Sequence, residues 1–101
     1  MNKNITPARS YVNKKLKDKT IKVLFDEEKN RSQIARMVRG ARERAGISQR
    51  ELAKRADTTQ AVVARLELGS DARMPSLTLI TRLLKAANAH LELTCVFDKA
   101  I

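Results

Sequence analysis

His90 and Cys95 are the chain's only histidine and only cysteine, and the side chains best suited to act as a base, a nucleophile or a soft metal ligand. Their surroundings argue against such work. Cys95 falls on the apolar side of an alternating run, no paired His and Cys spacing suggests zinc, and no glycine-rich loop follows a strand. Both residues are expected to be structural, and the chain is expected to have no catalytic role, no cofactor and no metal. A lone cysteine cannot close an intramolecular disulfide, so nothing demands an oxidising compartment.

The remaining chemistry is recognition. The chain has 21 Lys and Arg against 11 Asp and Glu, a formal charge of +10. That excess suggests a polyanionic partner, nucleic acid or an anionic membrane, because net charge acts on association rather than on fold. The alternative is a solvated surface that only keeps the chain soluble. Tyr11, Phe25 and Phe97 are too few and too scattered to form a stacking platform for single-stranded RNA. No run approaches the roughly 18 apolar residues of a membrane span. The opening "MNKNITPARSYVNKKLK" has no apolar core of a secretory signal. A cytoplasmic protein without a membrane partner is expected.

At 101 residues the chain is one small domain with an extension. Hydrophobic residues make up 43% and aromatics only 3%, so Leu, Ile, Val and Ala must build the core, which favours helices. Residues 1–25 carry seven basic side chains against Asp18 alone, and form a chemically distinct quarter. There, Thr6 before Pro7 signals a helix start for a short basic helix, with Val12, Leu16, Ile21, Leu24 and Phe25 as a thin apolar stripe. From about Glu27 to Ala45 a longer helix presents Ile34, Met37, Val38 and Ala41 on one face, with Gly46 as its C-terminal stop.

Ser48 and Glu51 form an S-x-x-E capping box that opens a second helix. A third begins near Thr59 and ends before Gly69. Ser76 caps a fourth, carrying Leu79, Ile80, Leu83, Leu84 and Ala87, with Asn88 ending it in the left-handed conformation. In "HLELTCVFD" the period changes: Leu91, Leu93, Cys95 and Phe97 alternate with polar residues and Val96, which predicts a strand. A lone strand cannot satisfy its own backbone groups, so a second copy across a twofold axis is the expected partner.

Two short helices crossing at a tight turn need apolar anchors, a small contact residue and a turn residue that tolerates positive φ. Leu52, Ala53 and Ala56 supply the first helix, Asp57 the turn, and Val63 and Leu66 the second.

The stretch "ARERAGISQRELAKRADTTQAVVARLELG" resembles the Xre/Cro family of helix-turn-helix regulators, and Arg39 to Ala89 looks like its helical core. The resemblance implies a mainly α, lambda-repressor-like helix-turn-helix bundle, here with an N-terminal helical extension and one C-terminal β-strand. Its residues imply roles at double-stranded operator DNA. Gln49 matches a glutamine that meets the DNA backbone, Thr59 would cap the recognition helix near a phosphate, and Gln60, Ala61, Val62 and Arg65 match positions that point into the major groove. Chemistry agrees: Gln can pair with adenine, Arg with guanine, and an apolar surface with a thymine methyl. Ser48 and Arg50 are expected phosphate contacts. Arg42 and Glu67 match a salt bridge joining the first helix to the third, a structural pair. Asp57 stands where most relatives have Gly, and Ala61, Val62 and Ala64 stand where polar residues are frequent. Base-edge hydrogen bonds are then few, and shape readout or the basic arm contributes more.

The layout is similar to HigA-type antitoxins, with residues 1–28 as a basic helical extension, 29–89 as the helix-turn-helix domain and 90–101 as a dimer-forming strand. That resemblance implies a homodimeric repressor of its own operon that neutralises a RelE/HigB-type toxin. The alternative is a stand-alone or phage-like Xre regulator without a toxin. Such toxins are typically basic, a poor electrostatic match to the extension. The extension has three readings: packing of Leu16, Ile21, Leu24 and Phe25 over the long helix, a toxin-binding surface, or an arm for the DNA backbone.

Overall fold

A computed structural model describes residues 7–69 and 73–99, with side-chain detail from residue 17 onward. Four helices follow in order: α1 (Pro7–Ala45), α2 (Gln49–Arg55), α3 (Gln60–Leu68) and α4 (Leu77–Ala86). Pro7 is the first helical residue, where its missing N–H costs nothing. Thr6 lies outside the described residues.

The last third of α1, from Ile34 onward, joins the bundle. α1 lies against α3 and α4, and α2 lies against α3 and α4. Val38, Leu52, Val63, Ile80 and Leu83 are fully buried where the helices meet, with Leu66, Leu84 and Ala87 around them and Ile34, Met37 and Ala41 half-buried at the edge. Burying a Leu or Ile side chain is worth about 1.5–3 kcal/mol, so these few aliphatics carry the bundle. Helix α4 shows the cleanest division: Ile80, Leu83 and Leu84 are buried while Thr81, Arg82 and Lys85 face water.

Each helix ends where its sequence provides a stop. The hydroxyls of Ser48, Thr59 and Ser76 accept from the backbone N–H of Glu51, Val62 and Leu79 at 3.0, 3.3 and 3.1 Å. Gly46 (φ +70°) and Gly69 (φ +67°) adopt the left-handed conformation after α1 and α3. Two non-glycine residues do the same, Asp57 (φ +56°) in the α2–α3 turn and Asn88 (φ +61°) after α4. Both types tolerate that region better than most because a short polar side chain can bond locally.

Two expectations change. First, no boundary separates a short basic helix from a long one: α1 is a single helix of 39 residues. At about 1.5 Å per residue it is nearly 60 Å long. Residues 17–30 are all exposed, so Ile21, Leu24 and Phe25 cover nothing; their exposures are 55%, 57% and 68%. Leu16 lies outside the described side chains. The reason is in the stripe itself, since the positions that continue the Ile34–Val38–Ala41 face toward the N-terminus are Asn30 and Glu27, and neither rewards burial. Second, the described residues contain no β-ladder, and His90–Lys99 carries no regular structure. Among the described residues no second strand offers an edge, so the expected strand is without a partner there. Leu91 is half-buried against the bundle, but Leu93, Cys95 and Phe97 are exposed.

Candidate nucleic-acid interface

α2 and α3 meet at a tight turn closed by the backbone bond from Thr58 N–H to the Ala53 carbonyl at 2.9 Å. Val63, Leu66 and Glu67 face the bundle from α3. That orientation leaves Gln60, Ala61 and Arg65 exposed, while Val62 is half-buried at the rim. Ser48 and Arg50 at the start of α2, and Thr59 at the start of α3, are exposed as well. The N-terminal turns of both helices therefore have uncovered polar groups beside the outward face of α3, a combination suited to phosphate oxygens and base edges together.

A charged network fixes this pair of helices to α1. Arg42 donates from Nε to Glu67 Oε2 at 2.7 Å and from its second terminal nitrogen to Glu67 Oε1 at 2.9 Å. Its remaining terminal nitrogen reaches the Ile47 carbonyl at 3.0 Å. The Glu67 side chain is only 4% exposed and that of Arg42 16%. The hydrogen bond to Glu67 raises the Arg42 pKa above its ordinary value; desolvation opposes the shift, and the negative charges of Glu67 and Glu43 support it. The structure thus brings Arg42 and Glu67 together as one bidentate pair spanning the start and end of the recognition unit.

Gln49 occupies a different place from the other residues considered for DNA. It is half-buried, and its Nε2 donates to Glu67 Oε1 at 3.2 Å. Its amide therefore ties α2 to the same carboxylate that holds α1 and α3. Glu67 is the hub of three helices, which pair spacing in the sequence did not reveal, because residues 42, 49 and 67 converge only through the fold.

Two further features escaped the sequence reading. Leu68 is 76% exposed and shares the outward face of α3 with Ala61 and Arg65. The spacing of 61, 65 and 68 carried that signal, but an apolar residue at a helix end reads first as core. Arg31, Arg65 and Arg73 line one hollow of about 150 Å³ beside α3, floored by Ile34, Leu66 and Leu79. Arg31 and Arg65 lie too far apart in sequence for any local pattern to join them.

The residues considered for chemistry behave differently. Cys95 is a free, exposed thiol, and His90 is exposed with Nε2 3.1 Å from Glu92 Oε1. No group of three or more His, Cys, Asp or Glu side chains among the described residues could hold a metal ion. No helix among them is long and apolar enough to cross a membrane.

No curated protein and no solved structure gave a significant match to the chain. A helix-turn-helix family model matches residues 38–93, which run from the buried Val38 of α1 past the end of α4. The match covers more than half of the chain and includes the whole Arg42–Gln49–Glu67 network and the outward face of α3. This chain belongs to the helix-turn-helix family of the Xre/lambda-repressor type, a family of DNA-binding transcription regulators.

Proposed function

We propose that the chain is a homodimeric repressor that inserts paired α3 helices into successive major grooves of an inverted-repeat operator and blocks a promoter. The carrying observation is the outward face of α3, with Gln60, Ala61 and Arg65 exposed on a helix anchored by the Glu67 hub. Arg65 supplies a guanine contact, Gln60 an adenine contact, and Ala61 an apolar surface for a thymine methyl. Ser48, Arg50 and Thr59 set the register on phosphates. The mechanism needs neither catalysis nor a cofactor, and it operates in the cytoplasm, where operators are.

The homodimer reading is supported by the exposed apolar side chains of the C-terminal tail: Leu93 is 72%, Val96 82% and Phe97 90% exposed. Pairing Leu91–Phe97 with the same segment of a second copy removes that surface from water and satisfies the backbone groups.

The similarity in layout to HigA-type antitoxins supports a narrower reading. On it, the chain represses its own operon and neutralises a RelE/HigB-type toxin. A neighbouring gene product that arrests growth alone, and is silenced by this chain, supports the antitoxin role. Without one, the chain is a stand-alone or phage-like Xre regulator.

Selection of bound duplexes from a random pool tests the operator reading. The expected product is an inverted repeat with half-site centres about 10 base pairs apart. Binding with steep salt dependence but no enriched sequence overturns it.

A further inference from the structure

Residues 17–30 of α1 form a stretch of helix that the bundle does not cover. Every residue from Lys17 to Asn30 is exposed, and four of them, Ile21, Val23, Leu24 and Phe25, are large and apolar. A short isolated helix is marginal in water, and a cluster of exposed apolar side chains on one usually marks a contact surface. The charges around the cluster say which partner fits.

Lys17, Ile21, Leu24 and Glu28 follow one another at intervals of 4, 3 and 4 residues, the spacing of a coiled-coil seam, with Phe25 beside it. The seam is apolar at its centre, positive at its N-terminal end and negative at its C-terminal end. The same polarity holds for the segment as a whole: Lys17, Lys19 and Lys22 against Asp18 come first, then Asp26, Glu27 and Glu28 with no basic residue among them. A seam of this kind is complementary to itself when reversed. Laid antiparallel against a second copy, Ile21 faces Leu24 of the second copy and Lys17 faces its Glu28, at both ends of the contact. Laid parallel, lysine faces lysine and glutamate faces glutamate.

We propose that residues 17–28 of α1 form an antiparallel helix pair with the same segment of a second copy of this chain, as a contact separate from the C-terminal tail. The pairing obeys twofold symmetry, since each copy contributes the same patch. It gives residues 17–28 a cover that the bundle does not provide. It does not depend on DNA binding and can be tested without DNA.

The test is sedimentation equilibrium of the full chain carrying Leu93→Asp, Val96→Asp and Phe97→Asp, which replaces the exposed large apolar side chains of the tail and isolates the contact through α1. A concentration-dependent dimer between about 1 and 500 µM is expected. Adding Lys17→Glu or Glu28→Lys singly sets like charges opposite each other twice per dimer, and should weaken association about tenfold. Combining the two swaps restores opposite charges and should bring the dissociation constant back to within about threefold of the starting value. Leu24→Glu should abolish association, with circular dichroism confirming that the bundle stays folded. A monomer throughout the range overturns the proposal. So does a dimer that ignores the single swaps, or one that the double swap fails to rescue.

Discussion

Glu67 receives three hydrogen bonds, two from Arg42 and one from Gln49, at a site that is nearly closed to water. Removing one partner of such a pair leaves a charge buried alone, so Arg42→Ala should cost on the order of 3 kcal/mol in a urea melt. Gln49→Ala removes one neutral donor and should cost about 1 kcal/mol. The Arg42 pKa is raised, first by its hydrogen bond to Glu67, so the share of stability linked to the arginine's proton is fully present below arginine's ordinary value and is lost as pH rises through the raised one. At the DNA surface the expectations differ in kind. Gln60→Ala and Arg65→Ala should each cost about 1–3 kcal/mol on the preferred operator and relax its sequence preference, while Arg50→Ala should weaken binding to every sequence alike. A binding titration on matched and mismatched duplexes distinguishes the two, and unchanged preference in both α3 variants would remove α3 from the base-reading role.

At the scale of elements, the turn between α2 and α3 contains a small store of strain. Asp57 holds φ +56°, and replacing it with Gly should stabilise the fold by up to about 1 kcal/mol, measured by the denaturation midpoint. The turns and caps were legible in the sequence because each rests on a local rule: Ser48, Thr59 and Ser76 hydroxyls facing N–H groups three residues on, and Gly46, Gly69 and Asn88 where the chain reverses. The core stripe of α1 was legible for the same reason, since Ile34, Val38 and Ala41 repeat with the helical period. The continuity of α1 was harder to read. Residues 17–30 are helical without burying a side chain, so the apolar residues at 21, 24 and 25 point to packing that the polar Asn30 and Glu27 prevent. The family resemblance gives Gln49 a role at the DNA backbone, and its hydrogen bond to Glu67 at the end of α3 is a contact that no local pattern signals. The alternation from Leu91 to Phe97 is plain in the sequence, but a strand is a property of two chains of atoms, and one chain does not contain the second.

For the whole molecule, two different twofold contacts on one chain have a consequence for mass. With tail pairing and α1 pairing joining different copies about separate axes, the unmodified chain should exceed the mass of a dimer as concentration rises. Leu24→Glu should cap it at a dimer, and so should Phe97→Asp. Light scattering across a dilution series reads both variants against the parent chain. The basic half of α1 adds a further expectation: cutting residues 1–16 away should leave the operator preference intact, and any loss in affinity should come with a shallower dependence on salt.

The exposed stretch of α1 from Lys17 to Asn30 also bears on how long the molecule lasts. A helical stretch that no other element covers opens far more often than the bundle melts, and each opening offers a backbone that a protease can thread. Lys17, Lys19, Lys22 and Lys29 all lie in that stretch, whereas the bundle from Ile34 onward is held by its core. Dilute protein should therefore lose the end of α1 to trypsin within minutes while the remainder survives, and crowding the chains together should slow the cut. Turnover of the chain then becomes a function of its own abundance, so that scarcity hastens its loss and plenty protects it.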